Sequence, residues 1–367
     1  MRRIAAQYVF TSAGRPLRRA VVIAADDGTV IGVEDTGGEL RETAGTEFHN
    51  GIIIPGLINC HSHLELSHMR DLIPGGEGLQ KFIVAIRDRR EADLKEIAAA
   101  AARADREMYD GGVVACGDIS NGSVSFDVKS RSSIRYLTFA EVFGTDPRVA
   151  DSRIKGARET AAAAASSGLP AYITPHAVYS LSEQLFALVR EHITPESVIS
   201  VHFLESEDER RMSQDHVERA LGLSRLASHL MLVHNTVITR GEAERLAMEG
   251  NIWFCLCPSS NMHITGTMPP VTLLREITDR IVAGTDSLAS NDRLDMLYEL
   301  RLLQDAAPGV PLDEIIRWGT VNGARALKMS DTLGSIEPGK NPGLLLIEGA
   351  DLVNLRLLPG SRVRRLM

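Results

Sequence analysis

The chain has 367 residues, 44% of them hydrophobic, and a formal charge of −8. That length accommodates one large barrel with a small accessory domain, or two ordinary domains. Lysines and arginines are scattered along an acidic chain with no stretch of about 18 apolar residues, which excludes a nucleic-acid partner and a helical membrane span. A cytoplasmic protein acting on a small molecule is expected.

In chain order, residues 1–55 read as short β segments broken by turns: RRIAAQYVF, RRAVVIAADDG, TVIGVED and EFHNGIIIPG. The basic start runs into polar TSAGRPLRR before any apolar stretch of signal-peptide length. From Gly56 to Leu333 the texture changes. Eight strand-length runs, GLINCHSH, GVVACGDIS, RYLTFAEVFG, AYITPHAVYS, VISVHFLES, LMLVHNTV, NIWFCLCPSSN and RIVAGTDS, alternate with Ala-, Glu- and Arg-rich helical stretches. Among the helices, TRGEAERLAMEG is predicted to start at a Thr239 cap and run to Gly250. Eight β/α units predict a (β/α)8 TIM-type barrel over residues 56–333, with active groups at the carboxyl ends of its strands. The tail from Leu333 returns to short β runs, so 1–55 and 334–367 are expected to form one composite, β-sandwich-like domain. Cys60, Cys116, Cys255 and Cys257 lie in or beside apolar runs, where reduced thiols behave as small hydrophobes. Cys255-Leu256-Cys257 puts two thiols on one strand face but lacks the further ligands of a structural zinc site.

Polar residues able to bind metal or move protons stand at the ends of most of these strands, where a barrel core does not need them. His61-Ser62-His63 closes the first, and period-two spacing turns both imidazoles to one side. His202, His234 and Asp286 end strands five, six and eight, and a barrel would gather them at one mouth. Three neutral imidazoles and one carboxylate suit a divalent ion, Zn²⁺ first, with Fe²⁺ or Mn²⁺ also accommodated.

The segments PGLINCHSHLELS, HFLESEDE, VHNT, CPSSN and GTDS, in this order over nearly the whole chain, resemble the cytosine-deaminase and chlorohydrolase-like branch of the amidohydrolase superfamily. The tail TVNGARALKMSDTLGSIEPGKNPGLLLI resembles that branch's closing segment, departing from it at Asn341-Pro342-Gly343. The resemblance implies that His61, His63, His202 and Asp286 hold the metal, that Glu205 shuttles protons and that His234 orients the water. It also implies that Asp286 hydrogen-bonds the nucleophile. A cation would lower the pKa of its water to about 7, making hydroxide at neutral pH, and Glu205 would return the proton to a leaving amine. Binuclear members bridge two metals with a carboxylated lysine on the fourth strand. No lysine lies between Lys155 and Lys328, and the fourth strand offers His176 instead, so one metal is expected. A pair bridged by Glu141 is the alternative.

Five further residues are candidates for substrate contact, each with a plainer reading. His176 contacts substrate or caps its strand; Glu65 faces the mouth or pairs with an arginine; Glu141 does likewise or forms a salt-bridged strand end. Ser259 and Asn261 bond substrate or hold the loop after strand seven. The acidic run 205–209 reads as a solvated helix start favoured by the dipole, Glu205 excepted. Other histidines are assigned to surface and loops.

The stretch HSHLELSHMRDLIPGGEGLQKFI resembles a subgroup acting on adenine-containing nucleosides such as aminodeoxyfutalosine. The expected reaction is hydrolytic deamination of an aminated, purine nucleoside-like heterocycle, releasing ammonia. Alternatives are removal of chlorine and opening of a cyclic amide or formimino compound. A catalytically silent barrel used as a scaffold is a third reading, against which the complete set of candidate ligands, Glu205 and His234 argues. A homodimer fits both the resemblance and the frequency of twofold assemblies.

Overall fold

A computed structural model describes residues 1–40, 43–212 and 215–367. Its first strands are β1 (Arg2–Val9), β2 (Leu17–Arg18), β3 (Val21–Ala24), β4 (Val30–Glu34) and β5 (Thr46–Pro55). Each of the eight apolar runs then forms one strand: β6 (Leu57–Ser62), β7 (Val113–Ser120), β8 (Arg135–Val142), β9 (Ala171–Pro175), β10 (Val198–Phe203), β11 (His229–His234), β12 (Ile252–Leu256) and β13 (Ile281–Ala283). The tail adds β14 (Leu344–Glu348) and β15 (Arg362–Arg365).

Contacts gather the chain into two compact units. One takes in Met1–Asn59, Met108–Ala115 and Asp295–Met367; the other takes in Cys60–Glu107 and Cys116–Leu294. The first holds a sheet in the order β15-β14-β5-β1-β3-β4, with β2 beside β1. Strands from both termini share this sheet because β14 pairs antiparallel with β5, while β5 pairs in parallel with β1. Ile4, Ala6, Val22, Ile53, Leu344 and Leu346 bury their alternate faces in one apolar cluster. Gly51 stands where the β1–β5 register shifts, at φ +152°, with the Ile347 carbonyl where a side chain would go.

The eight central strands form two four-stranded sheets, β6-β7-β8-β9 and β10-β11-β12-β13. β6, β10 and β12 are buried along their whole length, which explains why they do not alternate apolar with exposed polar positions. Parallel bridges join Ala177 to His202 and Ser62 to Asp286 at the sheets' borders. The helices Leu94–Asp110 and Ala150–Ser166 are two of the Ala-rich stretches between the strands. Thr239 caps its helix through Glu242 as predicted, but the helix stops at Ala247, short of Gly250. All four cysteines are buried thiols outside any disulfide.

Candidate metal and active site

His61 lies in β6, His63 one residue past its end, His202 in β10 and Asp286 three residues past β13. One ligand atom from each of these four lies within 4.8 Å of the others. His61 and His63 approach Nε2 to Nε2 at 3.1 Å, and Asp286 Oδ1 lies 3.6 and 3.3 Å from those nitrogens. These spacings suit ligands about 2.0–2.2 Å from a common centre, so the residues fit a divalent cation. The turns that bring them together carry strain. Leu204, His234, Asn235 and Asp286 all have left-handed backbone, with φ of +50°, +80°, +57° and +58°, a conformation uncommon for non-glycine residues and most costly for Leu204.

Burial drives the His63 imidazole down to about 4, His234 down to about 3 and His202 well below its ordinary value. Near neutrality those rings are uncharged and offer lone pairs, the form a cation requires. Burial works against the Asp286 carboxylate, but the hydrogen bond with His61 and the neighbouring imidazoles outweigh it and hold the group well below the carboxylate range. Glu205 goes the other way, raised far above its usual value by burial and by the negative charges of Asp286 and Glu209. It is therefore the group here with a high affinity for a proton. His234 Nε2 is buried, has no hydrogen-bond partner, and lies 3.7 Å from Glu205 Oε1.

An outer layer holds His61, His202 and Asp286. Ser200 Oγ sits 3.3 Å from His61 Nδ1, and His202 Nδ1 donates to the His176 carbonyl at 2.7 Å, so both rings turn Nε2 inward. Asp286 Oδ2 accepts from Ser260 Oγ at 2.5 Å and Ser290 Oγ at 2.9 Å, leaving Oδ1 toward the imidazoles. A double variant Ser260→Ala/Ser290→Ala is expected to weaken metal retention by about 10–100-fold, as changes around ligands commonly do, measured by chelator competition. Gly284 admits His61: a Cβ there would come within 2.9 Å of His61 Cβ and N. Gly284→Ala is expected to cost about 1–3 kcal/mol of stability by overpacking, seen as a lowered Tm.

The exit of β6 is also tied down. His63 provides no side-chain cap for the short 3₁₀ helix Leu64–Met69, and Asp118 Oδ1 takes the Leu64 N–H at 2.7 Å instead. Asp118 is paired with Lys129, both side chains fully buried. Lys129 Nζ also donates to Ser120 Oγ at 2.8 Å and lies over the rings of Phe126 and Tyr136.

A cavity of about 310 Å³ opens over the quartet, lined by Glu65, Glu141, His176, Glu205 and His234 as well as His63, His202 and Asp286. Its other wall is apolar, from Leu66, Leu79, Phe82, Ile83, Ile86 and Phe143. Glu65 and Glu141 belong to one hydrogen-bonded chain. Arg90 Nη2 reaches Glu65 and Asn121, the Asn121 N–H donates to Glu65 at 3.0 Å, and Asn121 Nδ2 donates to Glu141 at 2.8 Å. Glu141 Oε1 then takes the His176 Nδ1–H at 2.8 Å. Burial opposes charge on both partners of this last pair, but their mutual attraction lowers Glu141 and raises His176. Burial pushes Glu65 up to about 7 against the opposing pull of Asn121 and Arg90. Glu141, His176 and His202 also approach one another, but His202 Nδ1 and His176 Nδ1 are already committed to hydrogen bonds.

Ser259 and Asn261 are not among the cavity-lining residues. Asn261 Nδ2 instead lies 3.4 Å from His234 Nδ1 and donates to Thr236, while Ser260, one position from Ser259, takes the Asp286 contact. Arg90 and Asn121 have no spacing signal, since RDRRE reads as a solvated face. Glu209 departs from the solvated reading of its acidic run: it is 1% exposed. The signal that marks it is Ser206-x-x-Glu209, a capping-box pattern. His216, assigned to surface or loop, is buried on a helix beside Glu242.

Residues 52–360 match the amidohydrolase family, and the chain belongs to it. It is a hydrolase acting on carbon–nitrogen bonds, in a family that binds divalent metal. A 5-methylthioadenosine/S-adenosylhomocysteine deaminase of Haloarcula marismortui is 27% identical over 354 residues, covering 90% of this chain and 80% of the relative. Aminofutalosine deaminase of Helicobacter pylori, in complex with methylthio-coformycin, shares the fold with TM-score 0.76 at 21% identity over 98% of this chain and 94% of its own. An adenosine deaminase of Xanthomonas campestris with bound zinc does so with TM-score 0.75 at 23% identity, over 94% and 84%.

Proposed function

We propose that this chain deaminates an adenine-containing nucleoside modified away from the base, aminodeoxyfutalosine among the candidates, with one Zn²⁺ held by His61, His63, His202 and Asp286. The convergence of those four ligand atoms, with Glu205 and the unpartnered His234 Nε2 beside them, carries the reading. The two central sheets, joined by their border bridges, are read as one barrel over 56–333, with 1–55 and 334–367 as the β domain. A bound divalent ion supplies Lewis acidity and lowers the pKa of water to about 7.

The chain's own residues do the rest. Glu205 takes a proton from the attacking water and returns it to the departing amine, so that a C–O bond replaces the C–N bond and ammonia leaves. His234 hydrogen-bonds the water through Nε2, its ring held from behind by Asn261. His176 presents its remaining nitrogen to the substrate, since Glu141 occupies Nδ1. Glu65 and Glu141, backed by Arg90 and Asn121, contact the sugar hydroxyls. The apolar wall takes the substituent, and a neighbouring cavity of about 610 Å³, sharing Arg90, Asn121, Glu141 and Phe143, gives room beyond it.

The relatives' names support the substrate class: they specify adenosine or modified adenosine compounds. The test is ammonia release by zinc-loaded protein offered purine nucleosides, pterins, pyrimidines and triazines. Release from a 5′-modified adenine nucleoside, lost on chelation, is the expected result. Release only from a non-purine ring, or of chloride from a chlorotriazine, would overturn the assignment.

A further inference from the structure

We propose that Glu209 is the positioning residue for Glu205, its buried carboxylate gripping the two backbone N–H groups of the turn that aims the proton carrier. The inference rests on the reading of Glu205 given above. Glu209 Oε1 accepts from the Leu204 N–H at 2.9 Å, and Oε2 accepts from the Glu205 N–H at 2.7 Å. Its own N–H donates to Ser206 Oγ at 3.2 Å, half of a capping box at the helix Glu207–Met212.

An ordinary capping box turns one carboxylate oxygen back to the cap residue's own N–H, and glutamine serves there as well as glutamate. Glu209 does something else. Both oxygens pass the cap and bind the two preceding residues, one of which, Leu204, is held at φ +50°. That left-handed residue turns the chain sharply between β10, which carries His202, and the Glu205 side chain. Two buried backbone donors in a strained turn require acceptors, and a carboxylate is the side chain able to satisfy both. The Val237 N–H meets the Leu204 carbonyl at 3.0 Å, so the turn is held from the β11 side as well. The charge has no role in capping that an amide would not fill. Its use is to keep the Glu205 backbone, and so its carboxyl, fixed beside His234 and Asp286.

Glu209→Gln retains the capping oxygen but sets an –NH2 donor against one of the two N–H groups. It is expected to lower kcat by about 10–100-fold, since small misplacements of a catalytic group cost that much, with KM and zinc content close to native and Tm lowered by the one buried N–H left without its acceptor. Glu207→Gln, in the exposed part of the same acidic run, is expected to leave kcat unchanged. In a Glu205→Gln background, Glu209→Gln is expected to add no further loss, because there is no carboxyl left to aim. Hydrogen exchange at the amides of Leu204 and Glu205 is expected to speed up in Glu209→Gln. A full second loss in the double variant, or native exchange rates at both amides, overturns the proposal. Should Glu209→Gln fail to fold, Glu209→Asp, one methylene too short to reach both amides, enters the same cycle. Normal turnover by Glu205→Gln alone would refute the proton-carrier reading instead, while the exchange measurement still decides whether Glu209 clamps the turn.

Discussion

Asp286→Ala is expected to leave a folded protein that neither retains metal nor turns over. Asp286 is the sole carboxylate of the quartet, and without it three neutral imidazoles face a dication with nothing to balance its charge. The loss of affinity should exceed the roughly 10–100-fold typical of changes one layer out. The carboxylate also organises the hydroxyls of Ser260 and Ser290, which would be left bonded to each other at 2.9 Å. Because those hydroxyls keep a partner, the fold should survive the change. Metal content after dialysis and a chelator titration check the first claim, and a melting curve checks the second. Native metal affinity in this variant would remove Asp286 from its assigned place.

Glu205→Gln is expected to bind metal as the native protein does and to be slower by about 10²–10⁴-fold, the scale of general acid–base catalysis. The carboxyl lies in a buried position where burial and two negative neighbours raise its proton affinity. An amide of the same shape cannot hold or release that proton. KM should change little, because the substitution preserves size and removes only an exchangeable proton. Comparison of kcat, KM and metal content between the two proteins makes the test, and equal kcat would refute the role.

The sequence displays its strands because they are buried on both faces. β6, β10 and β12 expose none of their side chains, so none shows an apolar-in, polar-out alternation, and β12 is an unbroken apolar run. The candidate ligands are legible for the opposite reason: His61, His63, His202 and Asp286 are polar groups at the ends of those runs, where packing alone does not demand them. Supporting residues are harder to see. Arg90 lies in a charged run that resembles any solvated helix end, and becomes notable only once folding brings it to Glu65 and Asn121. The choice of Ser260 over Ser259 depends on the helix Pro258–Thr265, which turns each successive side chain by about 100°, where the sequence suggests a loop. Glu209 hides in an acidic stretch, where only the Ser206-x-x-Glu209 spacing sets it apart from the more exposed Glu207 and Asp208. The end of the helix at Ala247 is set where the chain finds its last carbonyl partners, not by the glycine three positions on.

The Lys129–Asp118 pair has a consequence for how such a protein acquires its ion. A fully buried pair of charges is a poor source of net stability, but here one member ties the backbone just after His63. The imidazole is therefore set in place by a tether that contains no metal ligand. At His63, then, an incoming ion would not have to order the backbone that carries this side chain.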